Sequence, residues 1–314
     1  MQQNKHIAVL IPCYNESLTI AKVVKDWKEA LPDADIYVYD NNSTDGTAEI
    51  AKDAGAIVRY EYLQGKGNVV RRMFREIEAD CYIMIDGDDT YPAKHGKAMV
   101  DLILNKKADM VVGDRLSTTY FQENKRPFHN FGNNLVRTLI NIFFRSDIKD
   151  VMTGCRAFSY EFVKTFPVTS KGFEIETEMT VHAIHKNLKI DNVDVDYKDR
   201  PTGSESKLQT IPDGIRIIKT LLKMFKNYKP IAFFSVLTII VALIAVCLLI
   251  PTFIECFKTG AFTWTIWTFL GGFTLIASLQ LLMTGIILNT IASKERRDFE
   301  LTLQEVALRR GNHK

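Results

Sequence analysis

The sequence predicts an α/β domain on a mostly parallel sheet with helices on both faces, followed by a C-terminal surface helix and two transmembrane helices. Two observations predict it. Strand-like and helix-like stretches alternate from residue 5 to residue 112, the pattern of a parallel sheet whose crossovers are helices. Charge then vanishes twice: there is no Asp, Glu, Lys or Arg from Pro230 to Ile254, and none from Thr259 to Ser293. The overall composition, 46% hydrophobic and 25% charged, is ordinary for a globular chain and hides that split. A disordered chain and a collagen-like chain are therefore disfavoured, as is a wholly soluble protein, in which the two runs would be a pair of buried core helices.

In order along the chain, His6–Ile11 is an apolar run stopped by Pro12, and Leu18–Leu31 has helical spacing. Asp35–Tyr39 is a second strand, closed by the turn formers Asp40-Asn41-Asn42-Ser43. A helix over Asp45–Ala54 leads to a strand at Ile57–Tyr62, a helix at Gly67–Ala79 and a strand at Cys81–Ile85. The string Asp86-Gly87-Asp88-Asp89 follows that strand, and Met110–Val112 forms a fifth strand that ends at Gly113-Asp114-Arg115. His129–Phe144 reads as a further helix with Phe131, Leu135, Leu139 and Phe143 on one face.

A bilayer-spanning helix needs about 20 apolar residues. Ile231–Phe253 supplies one span, and the second lies near Trp264–Ile291, with Trp264 and Trp267 suited to the interface. Lys219, Lys223, Lys226 and Lys229 precede the pair and Lys294, Arg296 and Arg297 follow it, whereas the connection holds only Glu255 and Lys258. The positive-inside rule then puts both ends of the hairpin, and the large N-terminal domain, in the cytoplasm. Within Asp213–Tyr228, Ile215, Ile217, Ile218, Leu221, Leu222, Met224 and Phe225 cover one broad side, and Arg216, Lys219, Lys223 and Lys226 gather on the other. That layout suits a helix lying in an anionic membrane surface; a helix packed on the soluble domain is the alternative. The expected organisation is a cytoplasmic α/β domain over residues 1–210, a surface helix over 211–229, a transmembrane hairpin over 230–293 and a cytoplasmic tail over 294–314.

Several classes drop out. A net charge of +3 does not suggest nucleic-acid binding. Cys13, Cys81, Cys155, Cys247 and Cys256 contain no CxxC pair and read as reduced thiols. Ile7–Ile11 is too short for a signal-peptide core, so the N-terminal domain is not expected to cross a membrane. No G-x-G-x-x-G follows the first strand and no P-loop motif occurs, which disfavours dinucleotide and P-loop enzymes. His182 and His185 are three apart, but nothing nearby in sequence completes a metal site, so their reading is structural.

In sheets of this kind ligands bind beyond the carboxyl ends of the strands. That rule gathers Tyr14, Asn15 and Glu16 after the first strand, Asp40 after the second, Asp86, Asp88 and Asp89 after the fourth, and Asp114 and Arg115 after the fifth. Asp86-Gly87-Asp88 offers two carboxylates to a hard divalent cation such as Mg²⁺ or Mn²⁺, and such ions bridge substrate phosphates. An acidic surface turn is the structural alternative. Asp40 is expected to hydrogen-bond a nucleobase or ribose, while Asp45 fits either that loop's chemistry or a helix cap.

Together IPCYNE at 11–16, YDNNSTDGT at 39–47, GKGNVVRRMF at 65–74 and DGDDTYP at 86–92 resemble the family-2 glycosyltransferases with a GT-A fold. GDR at 113–115, TGCRAF at 153–158, FEIETEM at 173–179 and RPTGSESKL at 200–208 narrow this. They look like the polyprenyl-phosphate glycosyltransferases, the group that includes dolichol-phosphate mannose synthase and bacterial bactoprenol glucosyltransferases. The resemblance covers about residues 5–210, and a C-terminal two-helix hairpin occurs in one branch of the group. DGDDTYP replaces a DADLQ-type string and GCR the usual GFR.

The resemblance implies that Pro12, Tyr14, Glu16 and Asp40 hold the base and ribose, with Lys66 near the nucleotide. It implies that Asp86 and Asp88 bind Mg²⁺ or Mn²⁺ and the diphosphate, and that Arg115, Arg156, Arg200 and Lys207 face phosphates. Glu174 or Glu176 would touch the sugar or end a helix. The expected reaction is inverting transfer of one sugar from a nucleotide-sugar to a polyprenyl (undecaprenyl) monophosphate at the cytoplasmic face, supplying a lipid-linked donor for cell-envelope glycans. UDP-glucose comes first, because the hairpin resembles the bacterial branch; UDP-N-acetylglucosamine and GDP-mannose are the alternatives. Partners are then the nucleotide-sugar, the polyprenyl phosphate and the bilayer, with a homo-oligomer implied by resemblance. Two rivals stand beside this reading. A processive polysaccharide synthase normally carries QxxRW, which is missing here. A membrane-anchored sugar-binding or lipid-translocating protein would not need the Asp86/Asp88 pair.

Overall fold

The computed structural model describes residues 5–117, 127–204, 207, 210–262 and 264–312, without the side chains of 127–131, 210, 211, 311 and 312. It divides into two compact units, Met1–Leu221 with Leu301–Lys314, and Leu222–Glu300.

The first unit is built on a seven-stranded sheet: β1 (Ile7–Cys13), β2 (Ala34–Asp40), β3 (Ile57–Tyr60), β4 (Cys81–Met84), β5 (Met110–Asp114), β6 (Arg156–Ser159) and β7 (Ile190–Asp194). The strand order is β3-β2-β1-β4-β6-β5-β7. Every neighbouring pair is parallel except those of β6, which runs antiparallel to both β4 and β5. The central strand β1 reads as an unbroken apolar run because helices cover both of its faces. The helices are α1 (Ile20–Ala30), α2 (Thr47–Asp53), α3 (Lys66–Glu76), α4 (Gly96–Leu104), α5 (Pro127–Phe144), α6 (Tyr160–Thr165) and α7 (Ile175–His185). Val23, Val24 and Trp27 of α1 and Met99 and Val100 of α4 pack with Val9, Ile11 and Ile83 in one core. This is a mostly parallel mixed sheet with helices on both faces, as the strand–helix alternation predicts.

The boundaries expected for the first five strands hold to within about two residues. Strands β6 and β7 lie beyond the alternating region, and their four and five residues carry little period-two signal. On α5 the buried side chains are Asn133, Val136, Ile140 and Phe144, whereas Leu135 is exposed. The inward face is thus one position away from the expected Leu135–Leu139–Phe143 stripe; Phe131 falls outside the described side chains.

Helix α8 (Thr210–Tyr228) has Ile217, Leu221 and Met224 buried, and leaves Ile215 and Leu222 exposed among Arg216, Lys219, Lys223 and Lys226. The second unit comprises most of two helices long and apolar enough to cross a membrane, α9 (Pro230–Thr259) and α10 (Ile266–Asn312). They run antiparallel, with the Thr252 hydroxyl 2.9 Å from that of Thr268 and 3.2 Å from that of Thr265. Ile239, Leu243, Phe253, Phe273, Leu279 and Ile287 project their apolar surface outward. Helix α10 continues past its apolar stretch without a break to Asn312.

Candidate active site

Topology brings the acids together. Strands β1, β2, β4 and β5 all end at one edge of the sheet, and β6, being antiparallel, begins there. Strand β7 is parallel to β5, so the chain after Asp194 leaves at the same edge. A main-chain bond from Lys198 N–H to the Thr90 carbonyl (3.0 Å) lays that exit segment against the loop after β4 and delivers Arg200 to the rim.

At the β1 and β2 ends two loops are laced to each other. The N–H groups of Asn15, Glu16 and Ser17 donate to Ser43 Oγ, Thr47 Oγ1 and Asp45 Oδ2 (2.9, 2.9 and 3.0 Å), and Thr44 N–H donates back to Asn15 Oδ1 (2.8 Å). Asp45 is thereby a loop-building residue. Asp40 is buried; its Oδ2 accepts from Ser43 N–H at 3.0 Å, and its Oδ1 has no hydrogen-bond partner among the described residues. A buried acceptor of this kind is costly unless a ligand completes it. Pro12 lies within β1 opposite Tyr39, and Tyr14 is partly exposed at the rim beyond it.

Lys66 opens α3 behind Gly65, whose φ is +126° and whose Cα approaches the Lys171 carbonyl too closely for any side chain. The 168–172 loop is held in turn by Glu178, which accepts from Thr169 and from Ser170 N–H (2.8 Å), and by Glu174, which accepts from Lys171 and Gly172 N–H (3.2 Å each). Of the expected pair, Glu174 thus builds the loop, whereas Glu176 faces Lys66. Lys66 Nζ lies 2.5 Å from Asp86 Oδ1 and 2.6 Å from Glu176 Oε1. Burial opposes the ammonium charge, but Asp86 and Glu176 outweigh it and hold the lysine well above its usual range. Burial would likewise raise Asp86, yet Lys66 and, further off, Arg200 and Arg115 keep it low.

Asp88 sits two residues on. Its Oδ1 accepts from the Thr90 hydroxyl (2.6 Å) and N–H (3.2 Å), and its Oδ2 pairs with Arg200 Nη2 at 2.5 Å. Burial and the like charge of Asp86 push it up against Arg200. Arg200 Nη1 also reaches Glu16 Oε1 at 3.5 Å. Burial pushes Glu16 up to about 7, with Arg200 and Lys207 opposing; Lys207 enters the site through that field. Glu176 is likewise raised, first by burial and then by Asp86 acting against Lys66.

The remaining two arginines do other work. Arg115 donates to Asp150 Oδ2 (2.9 Å), to the Met152 carbonyl (3.0 Å) and to the Tyr91 hydroxyl (3.3 Å), so a buried carboxylate balances its charge. Arg156, expected to face a phosphate, is 0% exposed. It donates to the Val151 and Thr153 carbonyls (2.5 and 3.1 Å) and to Thr180 Oγ1 (2.9 Å). Arg156 does not face a phosphate: paired with Met84 and Val112 in the sheet, it projects to the face covered by α7, where Thr180 meets it. There it fixes the 151–154 loop, where Gly154 leaves the space its Cβ would need to the Asp86 carboxylate. Sequence reasoning missed Gly154, Thr90, Tyr91 and Asp150; only the D-x-T spacing after Asp88 carried a signal, that of an Asx turn.

The chemistry of the donor set fits a divalent cation. Asp86 and Glu176 share Lys66, and Asp88 and Glu16 share Arg200, so carboxylate oxygens outnumber the cations they touch. No cluster of three or more His, Cys, Asp or Glu side chains poised to hold a metal occurs among the described residues. Two carboxylates suit Mg²⁺ or Mn²⁺, which take their other ligands from water and substrate phosphates.

The sequence pattern of glycosyl transferase family 2 matches residues 8–166. The chain is 36% identical over 230 residues to glycosyltransferase AglJ of Haloferax volcanii, covering 73% of this chain and 75% of that protein. It is 28% identical over 218 residues to the dolichyl-phosphate hexose transferase of the same organism, covering 69% and 93%. Its fold is similar to that of glucosyl-3-phosphoglycerate synthase from Mycobacterium tuberculosis, crystallised with Mn²⁺ and uridine-diphosphate, at a TM-score of 0.57 and 20% identity, covering 70% of this chain and 80% of that one.

Proposed function

From a chain that belongs to glycosyl transferase family 2 and is a glycosyltransferase, we propose the specific reaction: inverting transfer of a single sugar from a nucleotide-sugar to a polyprenyl monophosphate. The observation that carries the proposal is the pair Asp86 and Asp88, two residues apart at the carboxyl edge of the sheet, with Lys66 on the first and Arg200 on the second. The dolichyl-phosphate hexose transferase relative and a 28% identical dolichol-phosphate mannosyltransferase of Pyrococcus furiosus, aligned over 73% of this chain and 67% of that one, support the acceptor class. The outward apolar surface of α9 and α10 supports a bilayer around a prenyl chain.

Asp40 and the laced loops of β1 and β2 bind the nucleoside. With Oδ2 already taken by Ser43, the single remaining oxygen of Asp40 matches the one ring N–H of uracil. The Watson–Crick edge of guanine presents two adjacent donors and would call on both oxygens. This favours a UDP-sugar, with UDP-glucose first. Asp86 and Asp88 would hold Mg²⁺ or Mn²⁺, which would supply positive charge against that developing on the departing diphosphate. Lys66 adds a fixed positive charge on the same side, held by Glu176. The acceptor is a monophosphate with a second pKa of about 6 and is largely dianionic at neutral pH, so it attacks without a strong general base. Its oxygen forms the bond to the anomeric carbon as the bond to the diphosphate breaks on the opposite face, which inverts the centre. Arg200 and Lys207 bind the acceptor phosphate by charge-assisted hydrogen bonds.

The lysines around α8 and the cluster Lys294, Arg296 and Arg297 support a cytoplasmic catalytic domain. The exposed Ile215 and Leu222 among basic residues support α8 as the part that meets the bilayer surface. The test is to reconstitute the full chain in nanodiscs with undecaprenyl phosphate and a panel of labelled UDP-glucose, UDP-N-acetylglucosamine and GDP-mannose. A lipid carrying one glucose is the expected product. A polymer would indicate a processive synthase, and no product from any donor would overturn the transfer reading.

A further inference from the structure

Resting on that reading, we infer that Arg200 is an exchange residue: it neutralises Asp88 in the free protein and moves to the acceptor's phosphate when a divalent cation takes Asp88. Donor and acceptor binding are then coupled through one guanidinium.

The two aspartates are not equivalent. Asp86 gives Oδ1 to Lys66 and packs Oδ2 against the Cα of Gly154, in the space a side chain there would take. Asp88 has both oxygens engaged, Oδ1 by Thr90 and Oδ2 by Arg200. A cation at Asp88 would compete with those partners for oxygens that already carry them, and its charge would repel the guanidinium but not the neutral Thr90. Thr90 is bound to Asp88 through its own hydroxyl and N–H within a three-residue turn, so its release would unmake the loop itself. Arg200 lies on a different segment, two residues past the last main-chain bond to Thr90 and just before the turn closed by Ser204 N–H on the Pro201 carbonyl (3.1 Å). It can leave without breaking the sheet.

Departure has a destination. The guanidinium is a rigid five-donor fork that matches phosphate oxygens in pairs. Glu16, already 3.5 Å from Nη1, holds it near the rim. Displacement by a cation and capture by a phosphate are then two halves of one equilibrium. Because coupling free energy is reciprocal, a phosphate that captures Arg200 must tighten the metal site as much as the metal tightens phosphate binding.

The test is Mn²⁺ binding to the purified full-length protein without nucleotide, measured by calorimetry and by electron paramagnetic resonance. Arg200→Gln removes the competing cation and should bind Mn²⁺ about tenfold more tightly than wild type, within the usual range of such couplings. Arg200→Lys keeps a cation and should stay near wild type. Citronellyl phosphate, a short soluble prenyl monophosphate, should tighten Mn²⁺ binding severalfold in wild type and leave Arg200→Gln unchanged. Unchanged Mn²⁺ affinity in Arg200→Gln would mean an arginine that serves phosphate alone, and weaker affinity one that props Asp88 in place; either overturns the exchange while leaving the proposed transfer intact. Failure of every protein to bind Mn²⁺ would overturn the metal reading and the exchange together, with the donor panel still judging transfer.

Discussion

Lys66 Nζ and Glu176 Oε1 stand 2.6 Å apart, although 110 residues separate them in sequence, and the same ammonium touches Asp86 at 2.5 Å. Both side chains are almost fully buried. The lysine thus links helix α7 to the loop after β4, and its charge cannot be removed without stranding two carboxylates.

Lys66→Met is therefore expected to destabilise the catalytic domain by about 3–5 kcal/mol, the cost of breaking a buried pair from one side. Chemical denaturation followed by tryptophan fluorescence measures it. The double variant Lys66→Met/Glu176→Gln should recover part of that loss, because fewer charges are left unpaired. Both should lack transfer activity. Equal stability of the single and double variants would show that Glu176 is not the partner that matters.

Gly154→Ala would push a methyl group into the space held by the Asp86 carboxylate. The fold should survive, with a thermal transition lowered to match the about 1–3 kcal/mol that overpacking costs. Transfer should fall on the order of a hundredfold, the cost of misplacing a catalytic group by about 1 Å. Mn²⁺ affinity should fall with it.

Burial lifts Glu16 from 4.5 to about 7. Between those values the folded protein holds a proton that the unfolded chain has released, so Glu16 makes stability fall as pH rises through that window. Glu16→Gln should remove this component. Thermal transitions at intervals from pH 4.5 to about 7.5 should show wild type losing stability relative to the variant as pH increases. Parallel profiles would place Glu16 in water.

Arg310, near the end of α10, donates to both oxygens of Glu161 (2.8 and 3.0 Å) and to Asp80 Oδ1 (2.5 Å), with its guanidinium 5.2 Å from the centre of the Tyr160 ring. Asp80 immediately precedes β4, at the opposite end of that strand from Asp86. Arg310→Ala should cost about 1.5–3 kcal/mol, as for hydrogen bonds to charged partners. Hydrogen exchange should quicken over residues 301–312, while nucleotide binding stays as in wild type.

The positions of the acids, the strand–helix alternation and the two apolar helices were legible in the chain because each is written in local periodicity: apolar runs of strand length, 3.6-residue stripes, and charge-free stretches long enough to span lipid. Asp40, Asp86 and Asp88 could be gathered by the rule that parallel strands end on one side. The separate parts played by Glu174 and Glu176, two residues apart, could not be told from their spacing. Nor could the fate of Arg156, which carries the same charge as Arg200 and lies in an equally motif-like string.

By itself, the sequence determined which residue types stand at the strand ends and which segments must leave water, since both follow from the neighbours of each residue along the chain. Tertiary structure alone decided the pairings. Pairing with Met84 and Val112 put Arg156 on the sheet face that α7 covers, while β7, parallel to β5, carried Arg200 out to Asp88. The physical reason is that a charged side chain takes its role from the partners that replace water around it, and strand order, not spacing, chooses those partners.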